Sequence, residues 1–79
     1  MSNAPEVLAG MMLAELDSAR RKFAPFNSPH EGKAVIEEEL DELWKHVKEN
    51  TGRTIAAKTE AIQLAAMAIR YALDLCGER

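Results

Sequence analysis

The residues best suited to chemistry in this sequence are glutamates on two neighbouring segments. Glu38, Glu39 and Glu42 stand together in HEGKAVIEEELDELWKHV; Glu60 follows Glu42 after seventeen residues, with Gln63 three positions later, in KTEAIQLAAMAIRYALDL. Four carboxylates and an amide are hard oxygen donors. There is one cysteine, Cys76, and neither His30 nor His46 has a second histidine at ligand spacing. Such a set favours Mg2+, with Mn2+ as a substitute, over zinc. Magnesium keeps several waters and binds through one or two carboxylates plus the phosphates of a substrate. Held this way, it neutralises phosphate charge and lowers the pKa of a bound water, while a spare carboxylate can serve as general base. Nucleotide phosphates are the natural partner of that chemistry. The plainer alternative is a solvated acidic helix face. Against it, Glu38 and Glu42 are like charges at i, i+4, a spacing that costs an isolated helix about 0.2–0.5 kcal/mol, which a cation would remove.

Positioning these groups requires long helices. Prolines occur only at 5, 25 and 29 and glycines only at 10, 32, 52 and 77, so the breakers fall near the ends of uninterrupted segments. The pattern predicts three helices and no strand, over about 5–23, 29–49 and 54–76, in one domain spanning 1–79. Leu8, Met12, Leu16, Ala19 and Phe23 recur along one side of the first helix. Ser28-Pro29-His30-Glu31 reads as a capping box that opens the second, and Asn50-Thr51-Gly52 as its exit. The second and third helices are each about 30 Å long and are expected to pack as an antiparallel hairpin.

At 100° per residue, Ile36, Leu40, Leu43 and Val47 share about 60° of arc, with Trp44 at the edge, and form the expected packing seam of the second helix. Glu31, Val35, Glu38, Glu39, Glu42 and His46 form a second stripe. The third helix is apolar almost all round, which predicts burial of most of its surface. Ile55, Ile62, Ala66, Ile69, Leu73 and Cys76 mark one side of it and Leu64, Ala68, Tyr71 and Leu75 another. A narrow polar strip remains: Glu60, Gln63, Arg70 and Asp74, with Met67 among them. A glutamate on such a helix needs a partner. For Glu60 this is either a salt bridge to Arg53, Lys58 or Arg70, or a shared oxygen-rich pocket with Glu38, Glu39 and Glu42.

Composition narrows the function classes. Seventy-nine residues, 47% hydrophobic and 29% charged, leave no room for a two-domain enzyme. Net charge is −3, and Glu37, Glu38, Glu39, Asp41 and Glu42 place five negative charges in one run. That argues against a nucleic-acid binder. Residues 1–10 carry Glu6 and no basic cluster, unlike a targeting peptide. Gln63, Arg70 and Asp74 interrupt the longest apolar stretch, so no membrane span is expected. A lone thiol fits a reducing, cytoplasmic setting.

Glu38-Glu39-x-x-Glu42 followed by Glu60-x-x-Gln63 resembles the EExxE and ExxD pair of the MazG-type all-alpha nucleoside triphosphate pyrophosphohydrolases. The resemblance covers roughly residues 28 to 75 and looks closest to a small, often phage-encoded branch. It implies an all-α fold in which a helical hairpin assembles as a homodimer or homotetramer into a bundle. It also implies magnesium-dependent hydrolysis of a nucleoside or deoxynucleoside triphosphate to the monophosphate and pyrophosphate. Carried over by position, Glu38, Glu39, Glu42 and Glu60 would hold metal, with Glu38 and Glu39 as catalytic carboxylates. Gln63 departs from the pattern, because an amide offers a neutral oxygen where the family has an aspartate.

Lys33, Lys48, Arg53, Lys58 and Arg70 are the cations available to phosphate. Trp44 and Tyr71 read as core or interface anchors, His46 as a residue compensating the helix dipole, and Cys76 as buried. The third helix has more apolar circumference than two short neighbours can cover, which predicts another copy of the chain as its missing core. The alternative function is a non-catalytic helical oligomer that offers the acidic groove to a basic partner.

Overall fold

In a computed structural model describing residues 4–77, the chain forms three α-helices and, among the described residues, no strand. These are α1 (Pro5–Lys22), α2 (Pro29–Lys48) and α3 (Ile55–Cys76). The expected boundaries hold to within a residue, since Phe23, Glu49 and Thr54 are caps. Proline occupies the first position of α1 and of α2, where its missing N–H costs nothing. Ser28 Oγ accepts from the Glu31 N–H at 3.1 Å. The Glu31 carboxylate reaches one residue further back than a capping box requires, accepting from the Asn27 N–H at 2.9 Å. At the exit of α2, Asn50 takes the left-handed conformation with φ 60°, which asparagine tolerates. Thr51 then returns a backbone N–H to the His46 carbonyl at 2.8 Å. Thr54 Oγ1 accepts from the Ala57 N–H at 3.3 Å to start α3.

α3 lies against both other helices, whereas α1 and α2 do not pack on each other. The buried apolar residues are Leu16 and Ala19 of α1, Phe26 of the α1–α2 joint, and Ala57, Ile62 and Ala66 of α3. The joint is pinned from α3 by two buried side chains. Arg70 Nη2 donates to the Ala24 carbonyl at 2.8 Å, and Asp74 Oδ2 accepts from the Phe26 N–H at 3.1 Å. Arg70 Nε and Asp74 Oδ2 are 3.5 Å apart. The guanidinium lies 4.0 Å from the Phe26 ring centroid.

The seam expected on α2 is rotated. Ile36 and Leu43 are half-buried as expected, but Leu40, Trp44 and Val47 are each about half exposed. Gly32, Val35, Glu39 and His46 are covered instead. Gly32 explains the shift, because a Cβ there would lie 2.5 Å from the Tyr71 ring and 3.3 Å from Leu75. The backbone of α2 comes closest to α3 at this glycine. Gly32 is 40° from Ile36 on the Glu39 side, so its close approach turns Trp44 outward.

Within a single chain, α1 and α2 cover only part of α3. Ile62 and Ala66 are buried and Leu64, Tyr71 and Leu75 half-buried, but Ala61, Ala65, Ala68, Ile69, Ala72 and Leu73 are exposed. Cys76, expected to be buried, is exposed on the same arc. Neither α1 nor α2 reaches that side. No helix among the described residues is long and apolar enough to cross a membrane.

Two glycines test this packing with opposite signs. A Cβ added at Gly10 meets nothing within 4 Å, so Gly10→Ala is expected to stabilise the fold by about 0.5–1 kcal/mol. Gly32→Val is expected to destabilise it by about 1–3 kcal/mol through overpacking. Urea denaturation measures both, and a Gly32→Val variant as stable as the parent would contradict the close α2–α3 approach at Gly32.

Candidate functional site

Because α1 and α2 both lean on α3 without meeting, a cleft of about 630 Å³ opens between them. Gln63, Met67 and Arg70 of α3 line it from below. Glu15, Ser18 and Lys22 contribute from α1, and Glu31, Val35, Glu38 and Glu39 from α2; residues 23–27 of the joint close one end. The cleft therefore has an acidic end around Glu38 and Glu39 and a mixed aromatic and cationic end at the joint.

Glu39 is the electrostatic centre of the acidic end. It lies on the α2 face that packs towards α3, beside Glu60, and one oxygen of each carboxylate, Oε2 in both, is buried without a hydrogen-bond partner. Burial holds the Glu39 carboxyl above its ordinary pKa. The charge of Glu60 adds to the rise, followed by that of Glu42, a side-chain hydrogen bond with Glu60 and the charge of Glu38. Two carboxylates in this relation either share a proton or need a cation. The two Oε2 atoms fit a hard cation, since each is a buried carboxylate oxygen without a hydrogen-bond partner. Among the described residues no group of three or more Asp, Glu, His or Cys side chains is placed to hold a metal ion. A carboxylate pair is nonetheless the usual protein share of a magnesium site whose other ligands are water and phosphate.

The remaining residues singled out in the sequence fall in several places. Glu38 is exposed and lines the cleft, as does half-buried Gln63. Glu42 is exposed outside the lining and lies 3.7 Å from Lys45 Nζ. Arg70 borders the cleft, with its guanidinium on the Ala24 carbonyl, Asp74 and the Phe26 ring and its side chain 6% exposed. The i, i+4 spacing to Asp74 makes this pairing possible. Glu60, for its part, does not take Arg70 as its salt-bridge partner. Lys33 pairs with Glu37 at 2.9 Å, and Lys48 lies over the Trp44 ring at 5.8 Å. Lys48, Arg53 and Lys58 are outside the cleft lining. His46 is half-buried, with Nδ1 2.8 Å from Thr51 Oγ1 at the end of α2.

Among the charged lining residues, Glu15 and Lys22 escaped the sequence reading. Glu15 adds a carboxylate from α1, and Lys22 supplies an exposed ammonium. Glu15 had a readable signal, because it shares the i, i+3, i+4 stripe of Leu8, Met12 and Ala19. Lys22 continues the same stripe, three residues after Ala19 at the last position of α1. Comparison of the chain with protein-family models, with curated proteins and with solved structures yields no match.

The raised Glu39 carboxyl has a thermodynamic consequence. The folded chain holds this proton more tightly than the unfolded chain, so the associated stability is present below the ordinary glutamate pKa and is lost as pH rises through the raised value. In chelator-treated buffer, Glu39→Gln is expected to weaken the fall in urea midpoint between pH 4.5 and 7.5, with equal or greater stability than the parent at pH 7.5. An unchanged pH dependence in the variant would contradict a strained carboxylate pair.

Proposed function

We propose that this chain is a magnesium-dependent nucleoside triphosphate pyrophosphohydrolase that works as a homo-oligomer in the cytoplasm. The observation that carries the reading is the Glu39–Glu60 pair, with its two unsatisfied buried oxygens, beside a cleft large enough for a nucleotide. In this reading Glu39 and Glu60 hold Mg2+, or Mn2+ in its place, with Glu38 and Glu42 reinforcing the negative potential and Gln63 offering a neutral carbonyl oxygen. The metal, when bound, neutralises phosphate charge and lowers the pKa of coordinated water.

The chain's own groups do the rest. Glu38 lines the cleft and is exposed, so it suits the general base that removes a proton from the attacking water. Cleavage between the α and β phosphates adds the elements of that water and yields a nucleoside monophosphate and pyrophosphate. Lys22 faces the same space from α1 and suits a phosphate oxygen. The expected result is pyrophosphate release from a nucleoside or deoxynucleoside triphosphate with Mg2+, with losses of at least about a hundredfold in Glu39→Gln and Glu60→Gln. A coupled pyrophosphate assay checks it. Lack of turnover across a full triphosphate panel with both metals would remove the enzymatic reading.

Gln63 favours the second reading, a non-catalytic helical oligomer that uses the acidic cleft to hold a basic partner, because an amide supplies neither charge nor base. Metal dependence separates the two readings, since a basic peptide competes with Mg2+ for the cleft whereas a triphosphate requires it.

The oligomer itself is supported by the exposed apolar arc of α3, about half a turn from the cleft-lining strip, and by the outward-turned Leu40, Trp44 and Val47 of α2. The chain exposes 5818 Å², against about 4,800 Å² for a folded monomer of its mass. Its alanine-rich centre allows close helix approach, and a second copy of the α2–α3 hairpin is the occupant that fits. Sedimentation is expected to give a dimer or tetramer, and Ala65→Glu to shift it towards the 8.8 kDa monomer. A parent protein that sediments as a monomer at micromolar concentration would contradict this.

A further inference from the structure

We propose that the joint end of the cleft is a nucleobase subsite, in which the base stacks on Phe23 and the Asn27 side-chain amide meets its edge; the proposal rests on the nucleotide reading above. The joint carries two phenylalanines with contrasting surroundings. Phe26 is 6% exposed and flat against the Arg70 guanidinium at 4.0 Å, so it belongs to the core. Phe23 is 60% exposed, lines the cleft, and has the same guanidinium 5.7 Å from its centroid. The exposure is fixed by the backbone. Phe23 caps α1 in an extended conformation, and the next residues are held by the Ala24 carbonyl bond to Arg70 and the Phe26 N–H bond to Asp74. A rigidly presented ring at the end of a cleft is a stacking platform, because every base offers a π face to it. Neither Trp44 nor Tyr71 lines this space.

Charge sets the orientation. At the joint end Lys22 and Glu31 oppose each other in sign, which suits an uncharged base. The other end holds Glu38 and Glu39, which repel phosphate unless a metal stands between them. Glu31 and Glu39 are eight residues apart on one helix, about 12 Å, a span that suits a nucleotide lying with its base at Phe23 and its phosphates at the carboxylates. Asn27 lines the same end. Its backbone N–H is taken by Glu31, while its amide side chain carries both a donor and an acceptor for a base edge.

Isothermal titration of the full chain in Mg2+ tests this with two kinds of probe: α,β-methylene nucleoside triphosphates, one purine and one pyrimidine, and inorganic tripolyphosphate, which has no base. Phe23→Ala is expected to weaken the better-bound nucleotide about tenfold and leave tripolyphosphate within twofold. Phe23→Trp should keep nucleotide affinity within about threefold of the parent, and Asn27→Leu should change the purine-to-pyrimidine ratio. Phe23→Ala that weakens neither probe, or both equally, overturns the subsite. A parent that binds tripolyphosphate as tightly as nucleotide overturns the subsite while the metal–phosphate reading stands. A parent that binds nucleotide but not tripolyphosphate, with loss in Phe23→Ala, supports the subsite and removes the metal–phosphate reading. Binding of neither probe overturns both.

Discussion

Everything about the cleft depends on one buried ion pair. Arg70 and Asp74 are one turn apart on α3 with side chains 6% and 5% exposed, and a buried pair of this kind gains little from its own attraction after desolvation. Its value lies in the groups that saturate it. The guanidinium donates to the Ala24 carbonyl and lies on the Phe26 ring, while the carboxylate accepts the Phe26 N–H. Two charged side chains thus satisfy backbone groups in a proline-containing joint that has no helix or sheet of its own. By holding the joint they fix where α1 ends relative to where α2 begins. α1 and α2 can then both rest on α3 without closing on each other.

The same arrangement divides the molecule into two unlike faces. On one, the separation of α1 and α2 leaves carboxylates, an amide and a thioether around a polar cleft. On the other, the close approach at Gly32 turns Leu40, Trp44 and Val47 outward, next to an alanine-rich arc of α3 that no helix covers. A chain of this length can bury only about 60–65% of its unfolded surface. Part of the shortfall lies on this face, and part on α1, where Val7, Met11 and Leu13 are exposed. The position that lets α2 reach α3, a glycine, is also what brings Glu39 inward, so the apolar exposure and the strained carboxylate have a common cause.

What could be read from the sequence follows this logic. Helix limits and caps were legible at Pro5, Ser28, Pro29, Asn50 and Thr54 because capping and turn chemistry act over three or four residues. The grouping of Glu38, Glu39 and Gln63 was legible from spacing, and so was the pairing strip that carries Arg70 and Asp74. The rotation of α2 was not. A helical wheel ranks faces by hydrophobicity and assigns Leu40 and Trp44 to the core, whereas the rotation is set by how near the backbone can come at Gly32. The contacts of Arg70 with the joint were not legible for a related reason: a wheel gives the direction of a side chain but not whether a loop lies above it. Phe23 was legible as the end of the apolar stripe of α1, but not that the path of the joint would leave its ring 60% exposed at the cleft.

Gln63 is intelligible within this site. It lines the same cleft as Glu39, a carboxyl whose pKa burial and its acidic neighbours raise. An aspartate at 63, as in the pattern the sequence resembles, would add another negative charge at short range. It would strengthen the attraction for a divalent cation, and it would also increase repulsion whenever no cation is present. Glutamine gives up the first effect and avoids the second, keeping an oxygen in reach while leaving the metal-free fold less strained. The cost falls on metal affinity, and it is smallest when a polyphosphate brings ligand oxygens of its own. Under the proposed function, two half-buried carboxylates and a neutral amide would suit a cation that arrives with its phosphates better than one held in advance by the protein alone.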